Sequence, residues 1–385
     1  MIDSSKNSSL TILRLQARSL WSLHILAAAV VLLLFCSCAD VGVDPVDIDW
    51  KTASPQQAGM DGAMLATLNS RITSGLHGEI RSLLVVRHGM LVMEEYYRGS
   101  SRYASHQVYS VTKSVTSALI GIAVEQHLIP SLQTNVFSYF PEHADLAHTN
   151  PQKQSMTIEH LLTMTSGLEW DELSVSYNDS RNPITRMMGS PDWIRFVLAQ
   201  PMVSTPGAQF KYNSGCSVLL GEILKRSAGK SVSEYARERL FNPLGIYQWE
   251  WEPGSSNITN TGWGLHLRPR DMARIGLIFL DNGAWHGQPI VSASWVQTST
   301  SRTIGTSGNF GYGYQWWMMP LQGSASVEPK PDGIKVAWGW GDQFIFVVPS
   351  LDLVVVSTAN NKTGSYHDEA IRFVPEYVIK AVIRP

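Results

Sequence analysis

Ser110-Val111-Thr112-Lys113 opens a run in which Val111, Val115, Leu119 and Ile122 share one stripe. Apolar residues at that spacing argue a helix, and the Ser/Thr residues among them suit a buried wall. A serine and a lysine three positions apart at a helix start lie one turn from each other on the same face. An amine is thereby brought within reach of a hydroxyl, and serine is a poor nucleophile until a neighbouring base takes its proton. Only a helix N-terminus aims backbone N–H groups and the positive dipole end at developing negative charge. The plainer alternative makes Ser110 an N-cap beside a solvated lysine. A second segment, Tyr212-Asn213-Ser214, sits just before another apolar-periodic helix and offers a tyrosine as second proton carrier.

Ser-x-x-Lys arises about once by chance in a chain this long. Ser227-Ala228-Gly229-Lys230 is read as that chance match. It ends a helix rather than starting one, with Gly229 as the C′ stop.

At these residues the chain resembles the serine β-lactamase-related hydrolases, which include class C β-lactamases, D-alanyl-D-alanine carboxypeptidases and related esterases. Ser-x-x-Lys is one of their signatures. Three further stretches carry the likeness: Thr157 to Leu168 (Thr-Ile-Glu-His-Leu-Leu-Thr-Met-Thr-Ser-Gly-Leu), Pro206-Gly207 leading into Phe210-Lys211-Tyr212-Asn213-Ser214, and Gly264-Leu265-His266-Leu267-Arg268-Pro269-Arg270-Asp271-Met272-Ala273-Arg274. Together they span about residue 51 to the C-terminus. Tyr-x-Ser followed by Gly-Leu-x-Leu is most similar to the 6-aminohexanoate-dimer hydrolase-like and esterase branch.

The 385 residues suit one large or two interleaved domains. The net charge is -2 with no Lys/Arg run, so no nucleic-acid surface is expected. Thirteen tryptophans suit a core and also a cleft for an extended ligand. Lys6, Arg14 and Arg18 precede an apolar run from Leu20 to Phe35, interrupted by His24, which reads as a secretory signal over 1–38. Ser37-Cys38 at its end resembles a bacterial lipoprotein signal with Cys38 acylated. Ordinary cleavage and an uncleaved anchor are the alternatives. Export to the periplasm or a lipid anchor on a membrane is therefore expected. Residues 39–50 read as a tether. Cys216 alone remains in the body of the chain, read as a small packed residue.

A helix is expected near Asp61–Ser74. Ser82–Arg87 and Met90–Tyr97 read as strands joined at His88-Gly89, a hairpin signal. Lys335–Trp338, Gln343–Val348 and Leu353–Thr358 read as three more strands. A final helix carries Ile371, Val374, Val378 and Val382. The fold class is therefore α+β: an antiparallel sheet from both chain ends (51–107 and 330–385), flanked by helices, with a mainly helical part (108–329) inserted. The whole of 51–385 is expected to be the hydrolase domain, and the resemblance implies a β-lactamase/transpeptidase-like fold.

The family places Lys-Thr-Gly or His-x-Gly on a strand lining its cleft, followed by two more strands and a helix. Trp340-Gly341-Asp342 has those elements downstream and is taken as this motif. A literal Lys362-Thr363-Gly364 follows the last strand and is read as a solvated loop. By the same resemblance, Ser110 attacks a carbonyl and forms an acyl-enzyme. Lys113 and Tyr212 carry protons, the order left open. The backbone N–H groups of Ser110 and Gln343 hold the oxyanion. Ser214 bonds Lys113 or substrate, or else caps a helix. His266, Trp340, Gly341 and Asp342 touch substrate, with a packed loop histidine as the alternative for His266. Glu169-Trp170-Asp171 forms the opposite rim or plain surface.

Tryptophan and aspartate in the third motif cannot grip a penicillin carboxylate. An ester or linear amide, small or peptide-like, is thus favoured over a β-lactam. A cell-wall peptidase or β-lactamase is one alternative, a non-catalytic binding lipoprotein another. His143 and His148 are poorly spaced for a helical metal pair and no His-Glu-x-x-His occurs, so no metal and no cofactor are expected.

Overall fold

In the computed structural model the described residues are 50–148, 150–306, 309–321, 330–362 and 367–383. The signal 1–38 with Cys38, the tether up to residue 49, and Thr363-Gly364 lie outside them. Helix α1 (Gly62–Thr73) starts at Asp61, whose carboxylate accepts from the Ala63 and Met64 N–H groups at 2.8 and 3.3 Å. Strands β1 (Ile80–Arg87) and β2 (Met90–Tyr96) follow. His88 and Gly89 between them both have positive φ, 53° and 68°. That conformation gives a two-residue turn the hand that matches strand twist.

The eight-stranded sheet is completed by β3 (Ile304–Gly305), β4 (Gly311–Tyr312), β5 (Trp317–Leu321), β6 (Lys330–Gly339), β7 (Gln343–Val348) and β8 (Leu353–Ala359). Its order is β2-β1-β8-β7-β6-β5-β4-β3, and every pairing is antiparallel. The first and last parts of the chain meet at β1–β8, with Ile80 opposite Ala359 and Arg87 opposite Leu353. Strands β3 to β5 fall in the stretch that the sequence assigned to the helical part. Two are only two residues long and the third contains Pro320, so no period-2 signal marks them.

The central strands are buried on both faces. Leu84 and Val86 of β1, Ile345 and Val347 of β7, and Val354 and Val356 of β8 enter one core. Their neighbours Leu83, Val85, Phe344, Phe346, Leu353 and Val355 enter the other. That is why these strands read as continuous apolar runs. The second core is closed by α1 and by the C-terminal helix, in which Phe373, Val374 and Val378 are buried. That helix begins as an α-turn (Glu369–Phe373) and widens to a π pattern over Val374–Ile379. Pro375 has no N–H for an i→i−4 bond, which accounts for the widening.

The first core holds α2 (Val111–Glu125), α3 (Ser214–Ala228) and α4 (Pro269–Leu280). Helix α4 lies directly on β7 and β8: a Cβ at Gly276 would stand 2.5 Å from Val354 Cγ1 and 2.9 Å from Ile345 Cγ2. A small sheet of His106–Gln107, Leu265–Leu267 and Glu250–Trp251 sits against the start of α2. It ties residue 108 to residue 265 through a Val108 N–H···O=C Leu265 bond of 2.9 Å.

Candidate active site

Ser110 is the N-cap of α2, yet its side chain makes no capping bond. Its Oγ instead accepts from Lys113 Nζ at 2.8 Å, and the same Nζ donates to the Gly262 carbonyl at 2.7 Å. Lys113 is 1% exposed. Burial lowers its ammonium pKa to about 8, with the Glu172 carboxylate opposing. Tyr109, just before the serine, has φ 46°, an uncommon conformation for an aromatic residue and a mark of strain held at a functional site.

Tyr212 is placed by Asn213, the N-cap of α3, whose side chain accepts from the Cys216 N–H at 3.3 Å. Its ring lies under Lys113 Nζ, 5.1 Å from the centroid, and stacks on Trp317. Burial holds the phenol well above its ordinary pKa, and a hydrogen bond with Ser110 works the other way. The structure thus brings Ser110, Lys113 and Tyr212 together from two helix starts.

Ser214 does not bond Lys113. Its N–H and Oγ both donate to Glu172, each at 2.7 Å, and Trp170 Nε1 donates to the same carboxylate at 2.5 Å. Glu172 is 1% exposed and faces the cleft. Sequence reading passed over it. The nearby Glu169-Trp170-Asp171 stretch does not form the rim either: Trp170 is buried, Glu169 and Asp171 point to solvent, and Glu172 to Tyr177 line the cavity instead. The signal was there in Trp170-x-Glu172, two residues before the change to a polar loop.

The turn between β6 and β7 reaches the same place. Gly339 allows it, since a Cβ there would lie 2.2 Å from the Val108 carbonyl and 3.3 Å from Ser110 N. Gly341 and Asp342 follow with φ 76° and 70°. Trp340 is half-exposed and meets Tyr109 and Tyr177 edge-on at 5.3 and 5.6 Å. Asp342, expected to touch substrate, is fully buried and accepts from Asn361 Nδ2 at 2.6 Å. Its carboxyl pKa is pushed up to about 6 by burial. The Gln343 side chain is buried too, with Nε2 donating to the Gly341 and Ala359 carbonyls at 2.9 and 2.6 Å.

Lys362 is not a solvated loop residue. Its Nζ lies over the rings of Tyr109 (4.9 Å) and Trp340 (5.7 Å), and it lines the cavity that contains Ser110. The reading of residue 362 as part of a solvated loop is thereby corrected. The reason is register. The exit of β8 lies beside the entry of β7, so residues 360–362 pass along the 340–343 turn.

Ser110 opens on two chambers. One, about 630 Å³, is walled by Tyr212, Trp317, Trp338 and Glu172. The other, about 290 Å³, is more apolar, with Ile184, Met188 and Trp263. Tyr177 and Trp340 line both and stand between them. His266 bonds Glu252 at 2.9 Å and lines a third space with Tyr109 and Gln343, whose lining does not include Ser110. Cys216 is buried with its thiol pushed up to about 12 by burial, as befits a packed residue. Among the described residues no cluster of three or more His, Cys, Asp or Glu is arranged to hold a metal ion, and no helix is long and apolar enough to cross a membrane.

A family model described as Beta-lactamase matches residues 78–378. The chain belongs to the beta-lactamase family. It is 26% identical over 281 residues to the 6-aminohexanoate-dimer hydrolase of Paenarthrobacter ureafaciens, covering 66% of this chain and 68% of that one. A Bacillus anthracis structure provisionally assigned as such a hydrolase superposes with a TM-score of 0.68 at 22% identity, over 86% of both chains. A family VIII carboxylesterase gives 0.62 at 16% identity, over 86% of this chain and 98% of the other. These superpositions bear on the fold: mixed helix and antiparallel sheet, as the resemblance implied. The protein is a serine hydrolase of this beta-lactamase-related group.

Proposed function

We propose that the chain cleaves an ester or a linear amide through an acyl-enzyme on Ser110. The observation that carries this reading is the 2.8 Å Lys113–Ser110 contact on a fully buried amine. With a pKa of about 8, roughly a tenth of Lys113 is neutral at pH 7 and able to accept the serine proton. Tyr212, held protonated by burial, is the better donor to the leaving group. As Ser110 Oγ bonds the carbonyl carbon, the oxyanion forms beside the Ser110 N–H at the start of α2. Proton transfer to the leaving oxygen or nitrogen then frees the first product. Water releases the acyl group in a second step. Glu172 fixes the loop that walls this cleft and adds negative charge near the Lys113 ammonium.

The aromatic chambers on both sides of Ser110 support a substrate with two organic arms, and the names of the relatives point to amide and ester bonds. Lys362 favours a second reading, a carboxylate-bearing substrate of the cell-wall peptide or penicillin kind. Intact mass spectrometry tests both. An activated butyrate ester and a linear amide dimer are expected to leave an acyl mass on Ser110, absent in Ser110→Ala. A long-lived penicillin adduct with no ester or amide adduct would favour the second reading.

We further propose export, with Cys38 lipidated. The apolar run ending at Ser37-Cys38 supports it. Cys38→Ser is expected to move the expressed protein from the detergent phase to the aqueous phase of a Triton X-114 partition. A variant that still enters detergent points to an uncleaved anchor.

A further inference from the structure

The third space beside the cleft, about 430 Å³, has a distinctive lining: Arg81, Arg98, Lys362, His106 and His266, with no carboxylate among its walls. Two carboxylates stand behind it. Glu79 pairs with Arg81 and Arg98 at 3.2 and 3.1 Å, and Glu252 holds His266. Lys362 has no ion-pair partner among the described residues. Arg81 and Arg98 share one carboxylate and Lys362 adds a further cation, so the chamber carries a positive surplus that suits an anion. His106 adds no charge at neutral pH, since burial takes its pKa down to about 4.

Lys362 alone among these cations also lines the chamber containing Ser110. Its position is built. Asn361 is clamped by Asp342 (2.6 Å), by the His77 carbonyl (3.1 Å) and by the Glu79 N–H (2.6 Å). The Lys362 stem lies against Gly341, where a Cβ would come within 3.0 Å of its Cγ. The ammonium stays over two aromatic faces, which hold a cation without neutralising it.

We propose that this basic chamber is a subsite for a carboxylate carried by the substrate, with Lys362 at its opening into the cleft. This deepens the acyl-enzyme reading, on which it rests for the bond that is cleaved. It assigns Lys362 as a specificity-determining residue supplied by the β8 exit rather than by the 340–342 motif.

The first measurement compares kcat/KM for nitrophenyl butyrate with that for nitrophenyl hemiglutarate, and for an acyloxybenzoate with its neutral amide. These pairs put the carboxylate on the acyl arm and on the alcohol arm. Wild type is expected to prefer one carboxylated substrate. Lys362→Met should lower that preference about ten- to a hundredfold, mostly in KM, and Lys362→Arg should restore much of it. An unchanged ratio in Lys362→Met overturns the assignment. Absence of turnover for every ester would instead count against the acyl-enzyme reading, and a second measurement then decides the subsite. Tryptophan fluorescence, with Trp340 5.7 Å from Lys362 Nζ as reporter, is titrated with hexanoate, hexanamide and inorganic phosphate. A saturable change with hexanoate only, lost in Lys362→Met, supports the proposal. Equal response to hexanamide, or stronger response to phosphate, overturns it.

Discussion

Lys113→Met is expected to lower kcat/KM for an activated ester by about 10²–10⁴-fold, the usual contribution of a positioned base. Methionine keeps the stem volume in a buried site and removes only the amine, so the fold should survive. The sign of the pH dependence follows from the direction of the shift. Burial lowers the ammonium pKa to about 8, and the neutral form is the base. Wild-type kcat/KM should therefore rise with pH up to about 8 and then level. In Lys113→Met that rising limb should vanish along with most of the rate. A variant that kept the same limb would assign it to another group and remove Lys113 from the proton path.

Asp271→Ala is expected to be the most destabilising single change in the scaffold, by about 3–5 kcal/mol. Asp271 is fully buried in the first turn of α4. It accepts from Arg268 Nε at 2.7 Å and from Arg274 Nη1 at 2.7 Å. Both arginines are themselves nearly buried, at 5% and 6% exposure. Removing the carboxylate takes a shared charge partner from two nearly buried guanidiniums, and that penalty outweighs the loss of the contacts. The surface pair Lys230–Glu238 (2.8 Å) is the control, since such exposed pairs contribute about 0–1 kcal/mol. Urea midpoints read both. An Asp271→Ala midpoint close to that of the control variant would mean the arginines find water or other acceptors.

What the sequence disclosed follows from the range of each interaction. The Ser110–Lys113 contact is set by three residues of helix, so spacing alone announces it. Tyr212 was legible because it directly precedes a helix start, as Ser110 does. The bond from Ser214 to Glu172 crosses 42 positions, and no local pattern predicts where a loop will deliver a carboxylate. Arg268 to Arg274 carried the family likeness, yet these residues brace α4 rather than the cleft: Arg270 is spent on Glu94 of β2 at 2.6 Å. Lys362 is the instructive case. Counting strands set its triplet apart from the third motif. Pairing β7 with β8 antiparallel would also have put residues 360–362 back beside residues 339–341. Sequence order separated what the sheet brings together.

The β1–β8 pairing has a further consequence, for synthesis rather than catalysis. Its partners are roughly 270 residues apart in the chain, so at ribosomal rates of about 5–20 residues per second β1 waits some 14–55 seconds for its neighbour. Throughout that interval the Leu83-Leu84-Val85-Val86 stretch has only β2 beside it and an open edge on the other side. An apolar strand left unpaired in this way is a template for association with other chains. Nascent protein halted before Leu353 should therefore be aggregation-prone or chaperone-bound, however well its helical middle has formed.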